Sequence, residues 1–174
     1  MAQAPALDFY AARPRPPLDR FVELIWATRG PAPYRRAAVL PNGALQLMLN
    51  FGPPHRLLGR AGRPDRREFR EAWVAGLQEL PLEIEAPGVT DIFAIRFRPG
   101  GAHAFFGGSL DALTHEVVAG TDWLRHDVAE LRERVGARAT REAQVLEAEQ
   151  WLQARLSPHE PSHALVQRAL GALA

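Results

Sequence analysis

The sequence has no cysteine, which excludes disulfides, thiol nucleophiles and the common zinc ribbons and knuckles. It has no excess of charge either: 21 basic against 20 acidic residues give a formal net charge of +1. A chain that holds nucleic acid over its whole surface carries a large basic surplus, so that class is not expected. Lysine is missing altogether, and every basic residue is arginine. No segment reaches the ~18 consecutive apolar residues that a membrane-spanning helix needs. The start, MAQAPALDFYAARPRP, has no apolar stretch behind a positive end, so no secretory signal is expected. A soluble, cytoplasmic protein is the resulting expectation. What is present is an ordinary globular composition, 174 residues with 47% hydrophobic and 24% charged. That is the size of one domain, or of one domain with a small appendage.

The texture of the chain changes at Pro99. Over residues 18–99 glycine and proline are dense and the apolar runs short; beyond Pro99 the apolar spacing is helical and proline disappears until Pro158. The expected class is α+β: an N-terminal arm (1–17), a small cupin-like β-barrel or sandwich (18–99), then a helical segment (100–156). Residues 44–51 (ALQLMLNF) lie between the turn signals Asn42-Gly43 and Gly52-Pro53-Pro54. Strand alternation there puts Leu45, Leu47, Leu49 and Phe51 on one face and Gln46, Met48 and Asn50 on the other. Residues 92–98 (IFAIRFR) set Phe93, Ile95 and Phe97 against Arg96 and Arg98. Residues 82–85 and 73–78 are further strands. Residues 53–70 carry Arg56, Arg60, Arg63, Arg66, Arg67 and Arg70 with Asp65 and Glu68 among them. This is expected to be a hairpin around Gly62-Arg63-Pro64-Asp65. The interrupting acids and the lack of interleaved aromatics favour a solvated tip over a phosphate-binding patch.

In the second half, Pro99-Gly100-Gly101-Ala102 is expected to form a tight strand-to-helix corner. Ser109 is expected to cap a helix over 110–118, Thr121 one starting at Asp122, and Gly136 to stop a helix over 127–135. Thr140 opens the longest helix, reaching about Leu156, with Val145, Leu146, Glu149, Leu152 and Leu156 in a stripe. That stripe suits either packing onto the β part or pairing across a dimer. The candidate dimer contacts are Val145, Leu146, Leu152 and Leu156. A linker (157–161) leads to a last amphipathic helix from Ser162, whose apolar face (Leu165, Val166, Ala169, Leu170, Leu173) has nothing after it for cover, as at a cut domain boundary.

Little points to catalysis. The six histidines form no HxH; the one HExxH spacing, His159-Glu160-Pro161-Ser162-His163, falls at the linker and carries Pro161, which opposes the continuous helix that sets two ligands on one metal. GxSxG, GxxxxGK[ST] and GxGxxG are missing too. No metal, no cofactor and no enzyme activity is expected. What remains is a pocket. Trp26, Met48, Trp73 and Phe97 are large apolar groups on separate strands, and Gln46, Asn50, Gln78 and Arg96 are polar groups on the same strands. An apolar cavity with a few polar groups is how small-molecule sites are built. The candidate ligand-binding residues are Trp26, Gln46, Met48, Trp73 and Arg96, since a buried guanidinium needs an anion from the protein or from a ligand. The alternative places the aromatics in the core and pairs Arg96 at the surface.

The strings Leu40-Pro41-Asn42-Gly43, Leu49-Asn50-Phe51-Gly52 and Val74-Ala75-Gly76-Leu77-Gln78 are followed by Phe97-Arg98-Pro99-Gly100-Gly101-Ala102, Phe105-Phe106-Gly107 and Leu113-Thr114. Their order and spacing over residues 17–156 resemble the N-terminal domain of AraC-type transcription regulators. The resemblance implies a regulatory domain of β-barrel and helices that binds a small-molecule effector or holds a homodimer, often through a helix after the barrel. It also implies a following pair of helix-turn-helix motifs that bind DNA. Residues 162–174 would then be the first helix of that DNA-binding part, with the rest missing from the 174 residues. Three readings stay open: a sensor and dimerisation domain, a stand-alone interaction module without a ligand, and a cupin-like enzyme.

Overall fold

Short strands with one apolar face must pair to satisfy their backbone groups and must cover that face. The structure, a computed structural model, describes residues 6–60, 62–106 and 110–157. Its strands are β1 (Asp8–Ala12), β2 (Val22–Pro31), β3 (Arg36–Val39), β4 (Gln46–Asn50), β5 (His55–Arg60), β6 (Arg63–Phe69), β7 (Ala72–Ala75), β8 (Leu82–Glu85), β9 (Val89–Phe97) and β10 (Val117–Ala119). They form a six-stranded sheet in the order β1-β2-β9-β4-β7-β10 and a four-stranded sheet in the order β3-β8-β5-β6. Every pairing is antiparallel. The sheets do not close into a barrel, so the expected α+β fold takes its sandwich form. The helices are α1 (His103–Phe106), α2 (Gly120–Leu124), α3 (His126–Gly136) and α4 (Arg141–Gln153).

The six-stranded sheet uses both faces. On one, Ile25, Leu47, Leu49, Val74, Phe93, Ile95 and Phe97 join Phe105, Val128, Leu131, Val135, Ala148, Trp151 and Leu152 from the helical segment in a single core. On the other, Trp26, Met48, Trp73, Ile92 and Ala94 face Leu57, Phe69, Leu82 and Ile84 of the smaller sheet. The layers are therefore helices, large sheet, small sheet. The Pro99–Gly101 corner falls where expected. Gly100 has φ +73°, in the left-handed region, and a Cβ on Gly101 would lie 2.0 Å from the Phe21 carbonyl oxygen. The 53–70 segment is the β5–β6 hairpin. Arg56, Arg60, Arg67 and Arg70 pair with Asp65, Glu68, Glu85 and Glu116 around it.

Three helix expectations need correction. α2 starts at Gly120 with Ala119 as its N-cap and no side-chain cap, so Thr121 does not open it. Residues 110–118 are not a helix: a short 3₁₀ turn (Asp111–Leu113) gives way to β10, with His115 at φ +62° between them. The β-branched pair Val117-Val118 suits a pleated edge, and pairing with β7 satisfies its backbone. Gly136 does not stop α3 in a left-handed turn but is its last residue, where a Cβ would come within 2.9 Å of the Phe51 ring. The stripe of the longest helix turns inward. Thr140 does cap α4, its hydroxyl accepting from the Ala143 amide at 3.2 Å. Val145 and Leu152, however, are buried in the chain's own core and Leu156 packs against it, leaving only Leu146 substantially exposed at 41%. The stripe thus packs onto the chain's own core, one of the two roles it suits. The Ser109 cap and the helix from Ser162 lie outside the described residues.

α4 also buries charge. Glu147 accepts from Arg138 Nε at 2.9 Å and from Arg134 Nε at 2.5 Å. The two guanidiniums, Arg138 foremost, hold its carboxyl below the usual carboxylate range. Glu149 accepts from Arg15 Nε at 2.8 Å, tying the β1–β2 connection to the helix.

Candidate functional site

The inner face of the large sheet is floored by two rows of cross-strand neighbours. In the first, Trp26 stands opposite Ala94, Ala94 opposite Met48, and Met48 opposite Trp73. Two indoles and a thioether thus share one row, with Ala94 adding only a methyl between them. In the second, Arg96 stands opposite Gln46, and Gln46 opposite Ala75. Residues 92, 94 and 96 share this face because strand side chains alternate. Leu57, Phe69, Leu82 and Ile84 roof the rows from the other sheet, and Phe9 and Tyr34 reach in from the β1 and β3 side. Between floor and roof lies a cavity of about 420 Å³, within the range of small-molecule sites.

The apolar walls are fixed by ring packing. Trp73 lies 5.6 Å from Phe69 and 5.5 Å from His55 between ring centroids, and Trp26 stacks on Phe9 at 6.2 Å. The polar groups are few. Trp26 Nε1 donates to Gln46 Oε1 at 3.4 Å, and His55 Nε2 lies 3.2 Å from the Thr90 hydroxyl. Burial pushes the His55 imidazole below its ordinary pKa, because the charged ring would lose its hydration. Arg56 reaches the cavity but is engaged by Glu68 at 3.2 Å and Glu85 at 3.3 Å. Arg96 is different. Its Nη1 lies 3.8 Å from Glu23, beyond hydrogen-bond length, and its Nε is buried without a hydrogen-bond partner among the described residues.

All five candidate ligand-binding residues, Trp26, Gln46, Met48, Trp73 and Arg96, line this one cavity. Three others grouped with them do not. Phe97 belongs to the opposite face of β9 and the helical core. Asn50 is fully buried at the β4 turn, its amide donating to the carbonyls of Gly52, Pro53 and Arg70. Gln78 holds the carbonyls of Gly76 and Glu116. Sequence reasoning missed His55, Phe69 and Thr90. His55 and Phe69 sit at the two ends of the arginine-rich hairpin, and the inward phase of β5 is broken by a register shift between Leu57 and Gly59. No group of three or more His, Asp or Glu side chains placed to hold a metal ion occurs among the described residues. Nor is any helix among them long and apolar enough to cross a membrane.

By architecture the chain belongs to a class of open antiparallel β-sandwiches, hollow between the sheets and backed by helices on one side. Residues 10–119 match a family described as a domain of unknown function, DUF6597, and the chain belongs to that family. The matched segment contains the five candidate residues and both rows of the cavity floor, and ends at the last residue of β10. No curated protein matches the chain.

Proposed function

We propose that this chain is the sensor domain of a transcription regulator of the AraC type, holding a small-molecule effector between its two sheets. The observation that carries this reading is the cavity of about 420 Å³, walled by two tryptophans and a methionine and set with a few polar groups. Residues that fill a core interdigitate at near-crystalline density; these leave a space the size of a metabolite. A ligand-free interaction module instead expects an interior filled by side chains. The reading is a binding role, in which a few polar groups set among apolar walls fix the orientation of what lies between them. The resemblance of the Pro-Gly-Gly corner and its flanking strings to AraC-type regulators supplies the regulatory context. An effector that binds one arrangement of the sheets and helices better than another would shift their balance and so the presentation of an attached DNA-binding part.

Ala75 tests the cavity. It lines the space, and phenylalanine there would project a ring into it and narrow it. In ligand-observed NMR with a library of small ring compounds, binders of the wild type are expected to lose binding to Ala75→Phe while its circular dichroism is unchanged. A library in which no compound distinguishes the two proteins would sink the sensor reading.

A further inference from the structure

We infer that the ligand of this cavity is an organic anion: an apolar, ring-bearing body with a carboxylate, received by the side of the Arg96 guanidinium. The inference rests on the sensor reading and adds the ligand's charge and orientation to it. Among the described residues no carboxylate lines the cavity, although two arginines do. Arg56 is already answered by Glu68 and Glu85. Arg96 is not. Glu23 approaches only Nη1, at 3.8 Å, and is itself nearly half exposed, whereas the Nε edge is buried with no acceptor among the described residues. A buried N–H without a partner is costly and rare. The planar fork of guanidinium donors that Arg96 brings to the cavity matches the two oxygens of a carboxylate, which it can bind bidentately.

A second donor stands beside it. Gln46 is the cross-strand partner of Arg96, and its Oε1 accepts from Trp26, which turns the amide nitrogen into the remaining polar handle. With the indole N–H on Oε1, the amide nitrogen is left as a donor for the ligand. From this polar end the walls run apolar, past Met48 to Trp73 and Phe69. A carboxylate at Arg96 and Gln46 directs a ring along that path.

Isothermal titration calorimetry with 2-naphthoate and its neutral isostere 2-naphthamide separates the charge from the shape. For the wild type, naphthoate is expected to bind about 10- to 100-fold tighter than the amide, the range for charge-assisted hydrogen bonds. Arg96→Gln is expected to remove that preference while leaving naphthamide within about twofold of its wild-type affinity. Glu23→Gln, an exposed position that does not threaten folding, is expected to strengthen naphthoate binding alone, because it removes the carboxylate that competes for Arg96. Equal binding of acid and amide by the wild type, or a Glu23→Gln protein indistinguishable from it, would overturn the anion inference and leave the sensor reading standing. Failure of both compounds to bind the wild type would overturn the inference of a ring-bearing anion, while the sensor reading stands or falls with the Ala75→Phe library comparison.

Discussion

The two faces of the six-stranded sheet are made by neighbouring residues of the same strands and have opposite characters. Leu47, Phe93, Ile95 and Phe97 point to a face closed by helices, where each is fully buried. Met48, Trp73 and Arg96 alternate with residues of that face but point to one that stays hollow. Charge follows the same division. On the helical side, buried Glu147 is met by two arginines and Glu149 by a third. On the hollow side, a buried edge of Arg96 has no partner among the described residues. One face is optimised as a core; the other keeps apolar volume and a donor in reserve. The small residues Ala94 and Ala75 lie on the hollow side, between or beside the bulkiest groups, and hold it open without a gap in the strand pairing.

The largest contrast is expected from adjacent residues of β4. Leu47→Ala should lose about 2–5 kcal/mol, since it opens a new hole in a closed core, whereas Met48→Ala, beside an existing space, should lose under about 1.5 kcal/mol. Chemical denaturation measures both, and equal losses would erase the distinction between the faces. Charge gives a smaller contrast. Glu147→Gln should cost about 1–2 kcal/mol by breaking hydrogen bonds to Arg134 and Arg138. The cost should vanish on acidification, as stability from a depressed carboxyl is lost when pH falls through its folded value. Arg96→Gln should stay within about 0.5 kcal/mol, because the guanidinium it removes is bound by little. A loss at Arg96 as large as that at Glu147 would mean its charge is already answered inside the fold.

The smallest effect concerns His55. Its imidazole is held below the ordinary value of about 6.5 by burial. Between the folded and unfolded values the unfolded chain binds more protons, so stability falls as pH drops through that window. His55→Gln should flatten this part of the stability–pH curve, measured by urea titrations across the acidic range. An unchanged slope would place the ring in water and open the cavity wall at Thr90.

Much of this arrangement is legible in the order of the residues, for identifiable reasons. Strict alternation in 44–51 and 92–98 is enough to separate the two faces, and with them Gln46, Met48 and Arg96. The Pro-Gly-Gly corner is legible because both glycines answer local demands, a positive φ at Gly100 and a close backbone approach at Gly101. Residues 110–118 mislead because a short apolar run does not reveal its period, and the partner that makes Val117–Ala119 a strand lies over forty residues away on β7. The stripe on α4 is incomplete for a different reason. Glu147, outside it, and Glu149, within it, are buried because Arg134, Arg138 and Arg15 reach them from elsewhere. Long-range charge pairing leaves no periodic trace.

The hollow between the sheets has a thermodynamic consequence. A molecule enclosed there would occupy the place of core side chains that the sequence does not supply, and would touch both sheets at once. It would bind the folded chain and not the unfolded one, so by mass action it would raise the free energy of unfolding by about 2.7 kcal/mol at a hundred times its dissociation constant. For a domain of this size that is a large share of an ordinary stability. The missing part of the core would then be carried by the surroundings, and the folded population would itself follow the concentration of the ligand.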